Sequence, residues 1–243
     1  MGWHIGTSGW SYDHWEHVLH PPGTPPARRL ALYARTFGTV ELNASFYRWP
    51  RDATFAGWRE RLPEGFLLSV KAPRGLTHAK KLYASEAWTG RIAGAWHELG
   101  ARRGVLLVQL PPALGRDDAR LEHFLAGLPP WLRVAVEFRH DSWVHPGVFA
   151  LLRRHGAAYC VMSGAGLPCV LEATAGFVYV RLHGPDHHHL YAGSYPEADL
   201  RWWADRIREW DAAGREVFVY FNNDGHGYAV RNALALRSLL GGG

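Results

Sequence analysis

Eight short β-like runs alternate with helix-period stretches along this chain, and no other feature restricts its fold so much. The runs are Trp3 to Gly6, Thr39 to Asn43, Phe66 to Ala72, Gly104 to Leu110, Arg133 to Phe138, Ala158 to Met162, Phe177 to Gly184 and Glu216 to Asn223. Helix-period stretches fill most of the gaps: Ala27 to Phe37, Ala53 to Leu62, Glu86 to Arg102, Asp117 to Leu128, Pro146 to His155, Glu197 to Ala213 and Tyr228 to Leu240. The exception follows the sixth run, where Ser163 to Gly176 reads as loop. Eight such units in 243 residues predict an α/β chain, a (β/α)8 TIM barrel forming one domain over residues 1–243, with a missing or irregular helix after the sixth strand. A doubly wound open sheet is the alternative. It is opposed by Gly6-Thr7-Ser8-Gly9, which is not the G-x-G-x-x-G turn of a dinucleotide-binding sheet.

Side-chain parity then locates the chemistry. Successive strand residues point to opposite faces. One set is branched and apolar, as in Val40/Leu42, Leu68/Val70, Val134/Val136 and Val178/Val180/Leu182. The other set is polar: Glu41/Asn43, Ser69/Lys71, Gln109, Glu137/Arg139 and Arg181/His183. Helices must cover the apolar set, so the polar set belongs inside the barrel, toward the strand C-termini where barrel enzymes carry their sites. Buried charges must be paired or must meet ligand. The set is therefore either a belt of ion pairs or a binding site, and five strands converging on polar ends favour the site.

Glu41, Lys71, Glu137 and His183 are the candidate catalytic residues. Two carboxyls with separated pKa values can share acid and base roles, a lysine can act as a base or form a Schiff base, and a histidine can shuttle protons. Arg139 and Arg181 suit bidentate recognition of a carboxylate or phosphate. Rings crowd the expected rim at Trp10, Tyr12, Trp15, Phe46, Tyr47, Trp49, Trp143, Tyr191 and Tyr195, where they could stack on a sugar or base or could pack under loops. The binding set is thus Trp10, Tyr12, Asn43, Tyr47, Gln109, Arg139, Trp143, Arg181, Tyr191, Tyr195, Asn222 and Asn223. Asp186, His187 and His189 are candidates for a divalent metal, although the spacing matches no zinc motif and surface histidines are the simpler reading. Asp224 reads as a helix cap. No cofactor is assigned, and a divalent metal remains open.

Composition excludes other classes. With 47% hydrophobic residues the chain is not disordered, no apolar run is long enough to span a membrane, and no signal peptide is visible at the start. Cys160 and Cys169 alone cannot build a disulfide framework. A soluble cytoplasmic protein is expected. The net charge is +5, and the 27 basic residues comprise 24 Arg and only Lys71, Lys80 and Lys81. A lysine inside an apolar run is therefore notable.

Several motifs in register resemble one family. They are Gly6-Thr7-Ser8-Gly9-Trp10-Ser11-Tyr12, Val40-Glu41-Leu42-Asn43 with Phe46-Tyr47-Arg48, and Ser69-Val70-Lys71-Ala72-Pro73-Arg74 with Thr77-His78. Further along come Gln109-Leu110-Pro111-Pro112, Val136-Glu137-Phe138-Arg139-His140, Tyr179-Val180-Arg181-Leu182-His183-Gly184 and Tyr220-Phe221-Asn222-Asn223-Asp224. Together they resemble the domain of unknown function 72, the YecE-like family, from Gly6 to about Leu239. The resemblance implies a TIM barrel and brings no reaction. Ala44, where a small hydroxyl residue is expected, and the His187-His188-His189 run depart from the family pattern. The functional expectation is an enzyme acting by acid/base chemistry on an anionic, ring-bearing substrate such as a sugar phosphate or nucleotide-like molecule. Hydrolase, isomerase and lyase chemistry are all open. The alternatives are a nucleic-acid-binding or nuclease-like barrel and a ligand-binding barrel without chemistry. The oligomeric state is left undetermined.

Overall fold

The computed structural model describes residues 2–241. Among them, eight parallel strands alternate with seven α-helices. The strands are β1 (Trp3–Thr7), β2 (Thr39–Leu42), β3 (Leu67–Lys71), β4 (Arg103–Gln109), β5 (Val134–Glu137), β6 (Ala158–Ser163), β7 (Phe177–Leu182) and β8 (Glu216–Phe221). The helices are α1 (Pro26–Thr36), α2 (Asp52–Arg61), α3 (Glu86–Leu99), α4 (Asp118–Ala126), α5 (Pro146–Arg154), α6 (Glu197–Ala212) and α7 (Tyr228–Leu239). No helix stands between β6 and β7, as the sequence indicated. The strand order is β1-β8-β7-β6-β5-β4-β3-β2. No described helix is long and apolar enough to cross a membrane.

The chain forms two compact units. The first comprises the residues up to Glu41, Val161–Leu171 and the chain from Gly176 on; the second comprises Leu42–Cys160 and Glu172–Ala175. In the first unit β1 and β7 flank β8 in parallel register, with Ile5 opposite Val219 and Val180 opposite Val219. The Ser8–Glu41 bridge attaches β2 to the end of β1. Leu200, Trp203, Ile207 and Trp210 line the buried face of α6, the stripe read from their three- and four-residue spacing.

In the second unit β3, β4, β5 and β6 pair in parallel. Leu121, Phe124 and Leu125 of α4 are buried, and Asp117 caps that helix by accepting the Arg120 N–H at 3.0 Å. Helix α5 opens on Pro146, whose missing N–H costs nothing at a first helical position. The β3–β4 register shifts between Leu68 and Val70. Gly104 admits that irregularity, since a Cβ there would lie 2.6 Å from both the N and Oγ of Ser69.

Sequence reading carried several strands one or two residues too far. Asn43, Phe138, Gly184, Asn222 and Asn223 all lie past the last ladder residue. At Asn43, Asn222 and Asn223 polar side chains continue after regular pairing has stopped, so side-chain alternation alone does not mark the end.

Gly6 sets the approach of β1 to β2 in the first unit. A Cβ at Gly6 would meet the Thr39 carbonyl oxygen at 2.3 Å and the Tyr33 hydroxyl at 2.9 Å. The first is backbone within a sheet and cannot step aside. Gly6→Ala is therefore expected to cost about 3 kcal/mol in urea denaturation, the upper end for overpacking. Gly38→Ala, where a Cβ meets nothing within 4 Å, should stay within about 0.5 kcal/mol of the parent.

Candidate functional site

The polar strand set predicted from parity is buried: Glu41, Ser69, Lys71, Glu137, Arg181 and His183 all lie inside. Gln109, Asn43 and Arg139 are partly exposed. In the first unit four donors converge on the Glu41 carboxylate. The Ser8 hydroxyl reaches Oε1 at 2.6 Å and the Tyr179 hydroxyl reaches Oε2 at 2.7 Å. Arg181 adds a fork, with Nε on Oε2 at 3.0 Å and Nη2 on Oε1 at 2.8 Å. Burial, and next the Glu41 charge, push the Tyr179 phenol well above its ordinary range, so Tyr179 remains a neutral donor. This bidentate geometry matches a guanidinium to a carboxylate and leaves little freedom to either. The Arg181 side chain that sequence offered to a substrate is committed to Glu41.

His183 follows β7. Its Nδ1 lies 3.2 Å from Asn222 Nδ2, which donates to it, and Tyr191 packs edge-on against its ring at 5.3 Å. Asn223 is buried and donates to the Gly193 carbonyl and to Asn232 Oδ1, both at 2.9 Å, tying the end of β8 to the loop before α6. Tyr195 is buried, with its hydroxyl accepting the Gly184 N–H at 3.0 Å; Tyr191 is exposed. The Tyr12 hydroxyl donates to the Ser8 carbonyl at 2.8 Å, and the Trp10 carbonyl accepts from His20. Asp186 accepts the N–H groups of His188 and His189, both at 2.7 Å, as a turn carboxylate does. His187 and His189 are exposed. Among the described residues no group of three or more His, Cys, Asp or Glu side chains is arranged to hold a metal.

Asp224 differs from its expected capping role. Its carboxylate makes no cap bond and instead accepts Trp15 Nε1–H at 2.6 Å and His14 Nε2–H at 2.8 Å. Desolvation pushes its pKa up to about 6, against the lowering by the two hydrogen bonds. Residues after β1 supply both donors, so no local spacing around Asp224 reveals them.

In the second unit Glu137 is fully buried and takes Arg139 Nε and Nη2 on Oε1, while the Cys160 thiol lies 3.9 Å from Oε2. Gln109 stands beside Glu137 in register. Trp143 is buried, stacked on Phe138 with its indole N–H on the Leu114 carbonyl at 2.7 Å, so it packs under its loop. At the end of β3 the arrangement is more open. The Lys71 ammonium sits 4.3 Å from the Phe46 ring centroid, a cation–π contact. His78 packs edge-on against the same ring, and Tyr47, 76% exposed, stands edge-on to it at 5.2 Å. Asn43 precedes the short turn that carries Phe46, and its Oδ1 is buried without a hydrogen-bond partner among the described residues.

Sequence reading did not select His78. It lies on a π-helical turn, Gly75–Ala79, a rare geometry found often at functional sites. Desolvation, then the Lys71 and Arg74 charges, lower its pKa, so the ring is neutral at pH 7. Thr77 Oγ1 lies 3.3 Å from the Pro73 carbonyl and 2.9 Å from His78 Nδ1; with the hydroxyl turned to the carbonyl, Nδ1 carries the proton and Nε2 the lone pair. The signal in the sequence was the stretch Lys71 to Lys81, in which Thr77-His78 enters only as part of the family resemblance and Lys71 alone is taken as a site residue.

Removing Arg181 would strand a fully buried carboxylate. Arg181→Met is expected to cost about 3–5 kcal/mol in chemical denaturation. The double change Glu41→Met with Arg181→Met should cost less than that single change, because no charge is then left uncompensated. Asp224 gives a pH signature of its own. Its folded pKa lies above the ordinary 3.8, so the folded state holds more protons between about pH 4 and 6, and stability from this group falls as pH rises through that window. Relative to Asp224→Asn, the parent should lose stability between pH 4.5 and 7, at up to about 1.4 kcal/mol per pH unit within the window. Equal slopes for the two proteins would show that the carboxyl is not shifted.

The family described as Protein of unknown function DUF72 matches residues 4–243. UPF0759 protein YunF of Bacillus subtilis (strain 168) is 28% identical over 274 residues, covering 98% of this chain and 94% of that protein. UPF0759 protein YecE of Escherichia coli (strain K12) is 29% identical over 145 residues, 59% of this chain and 51% of that one. A DUF72 family crystal structure from Thermotoga maritima MSB8 superposes with a TM-score of 0.86 at 27% identity, covering 99% of this chain and 100% of its own. A second, from Enterococcus faecalis V583, reaches 0.86 at 19% identity over 98% of this chain and 95% of its own, and shows the fold alone. The fold is the (β/α)8 TIM barrel.

Proposed function

The chain belongs to the DUF72 family, and we propose that it is an enzyme acting by acid/base chemistry on an anionic, ring-bearing substrate of the sugar-phosphate or nucleotide-like kind. The observation that carries this reading is the group at the end of β3. There a lysine ammonium rests on a phenyl face, with a histidine whose pKa is lowered first by desolvation and then by Lys71 and Arg74, and a tyrosine ring standing in solvent. Clustered positive charge beside exposed aromatic surface suits a ligand with an anionic group and a ring.

The roles follow from the chemistry of each group. Lys71 binds the anion as a point charge that can follow a developing charge, which a forked arginine does less well. Arg74, exposed, raises the local potential. Tyr47 offers a stacking face. His78, neutral with its lone pair on Nε2, accepts a proton at neutral pH and returns it later in the cycle. Asn43 Oδ1 accepts a hydroxyl of the ligand, which gives that buried oxygen a partner. Under this reading Glu137 and Glu41 hold arginines in place, and the proton moves at His78.

Calorimetric titration with inorganic phosphate, ribose 5-phosphate and AMP, set against ribose and adenosine, tests the proposal. The phosphorylated compounds are expected to bind and the neutral ones to bind at least tenfold more weakly. Lys71→Met should weaken phosphate-ester binding by roughly 10- to 150-fold, the loss of one charge-assisted hydrogen bond. Arg74→Ala, an exposed change that spares the fold, should weaken it by a few-fold. Equal affinity for ribose and ribose 5-phosphate, or unchanged binding in a folded Lys71→Met protein, would overturn the reading. If a single-stranded oligonucleotide bound more than about 100-fold tighter than AMP, with steep salt dependence, a nucleic-acid partner would replace the small molecule.

A further inference from the structure

The first unit holds a cavity of about 360 Å³ whose chemistry is opposite in sign to the cluster at β3. It lies beside the segment after β6, where the usual helix is absent: Gly164, Leu167 and Cys169 of that segment form one wall. Two aspartates face it, Asp186 from the turn after β7 and Asp199 from the first turn of α6. Among the described residues, no arginine or lysine lines it. In a chain of net charge +5 this is a local exception.

The two carboxylates are placed to act on a ligand. Asp186 has its carboxyl held below the ordinary range first by the His188 N–H and then by that of His189, which favours its ionised form. Asp199 charge reaches the cavity interior: after burial, it is the leading influence that raises the Tyr195 phenol, which stands up at about 12. Tyr195 and Ser163, their hydroxyl oxygens 3.2 Å apart, add neutral groups that accept hydrogen bonds. Trp202 and Trp203 supply an aromatic wall, their rings edge-on at 4.9 Å, with Trp202 exposed. Trp202 already attracts one cation, the Arg206 guanidinium at 5.5 Å from its centroid. Carboxylates, hydroxyl acceptors and indole rings, with the His187 imidazole as the one basic group in the lining and no arginine or lysine there, form a set that recognises an ammonium group. The volume lies in the range of small-molecule sites.

We propose that this cavity binds a small organic ammonium ion, held by Asp199 and Asp186 with the carbon skeleton against Trp202 and Trp203. The proposal is independent of the anion site at β3, because its residues, its charge and its unit differ. The ligand is defined by its chemistry: one protonated amine on a body of a few carbons or one ring.

Calorimetry with putrescine, tyramine and choline, each paired with a neutral counterpart (1,4-butanediol, tyrosol and 3,3-dimethylbutanol), tests it. At least one amine is expected to saturate the protein and to bind at least tenfold tighter than its neutral partner. Asp199→Asn should weaken that amine by roughly tenfold or more. Trp202→Ala should weaken it by about 2- to 30-fold, the span of a cation–π contact. Both positions are exposed on α6, so the fold should survive, and circular dichroism verifies this. Lys71→Met should leave amine binding unchanged, which separates this site from the one at β3. Failure of all three amines to saturate below about 10 mM, an affinity worth under about 3 kcal/mol, overturns the proposal. So does amine binding that persists unchanged in both the Asp199 and Trp202 variants.

Discussion

The ion pair between Glu41 and Arg181 constrains the first unit more than any other contact. A carboxylate with no solvent exposure loses its hydration, and only the Arg181 fork together with the Ser8 and Tyr179 hydroxyls restores what water supplied. Those four donors come from β7 and from the residue after β1, while Glu41 belongs to β2. Satisfying one carboxylate therefore fixes the relative height of three strands. The backbone follows the same registration, since Gly9 N–H donates to the Glu41 carbonyl at 2.8 Å. Hydrophobic contacts between Val and Leu rows tolerate small slips, but a bidentate pair does not.

The segment after β1 is anchored in a second way. Trp15, wholly buried, donates its indole N–H to Asp224, and His14 donates to the other oxygen and to the Asp224 carbonyl. Two rings from one short turn thus pin the loop after β8 and the entry to α7. The carboxylate is partly desolvated, and its raised pKa is the cost of that anchoring. A weaker anchor could have used an amide. The carboxylate makes the link pH-dependent, its contribution to stability falling as pH rises through the raised pKa.

Much of the fold could be read from the sequence because alternation and helical spacing are local properties. All eight strands and seven helices stand where those patterns put them, including the gap after β6. Parity also separated buried polar residues from buried apolar ones, and Glu41, Lys71, Glu137, Arg181 and His183 are inside as expected. What parity could not supply was pairing. Arg181 meets Glu41 across 140 positions of chain, and Trp15 meets Asp224 across 209, and no window of sequence contains both partners. Rings posed a related difficulty: Trp143 and Tyr47 look equivalent on a predicted rim, yet one is buried on Phe138 and the other stands in solvent. His78 was missed because it follows no strand or helix period. It sits on a π-turn, which has no sequence rule comparable to those of α and β structure.

The use of lysine brings composition and geometry together. The chain employs 24 arginines and confines its three lysines to positions 71 to 81. Its buried carboxylates both take arginine, where planar forks suit fixed partners. The lysine stretch contains the π-helical turn Gly75–Ala79, and Lys81, Leu82 and Ala84 follow in the left-handed region that side chains other than glycine seldom enter. Backbone in such conformations costs on the order of 1 kcal/mol or more per residue, and packing must hold it there, as the buried Leu82 does. Arginine at Lys71 would bring a broad plane to the Phe46 face and seek a forked partner; lysine brings a compact charge to that ring. A chain that otherwise prefers arginine has thus kept the adaptable cation for the segment whose backbone is least regular, beside a neutral histidine and an exposed tyrosine. The fixed ion pairs of the two buried glutamates are left to arginine, and lysine is confined to the segment around the π-helical turn.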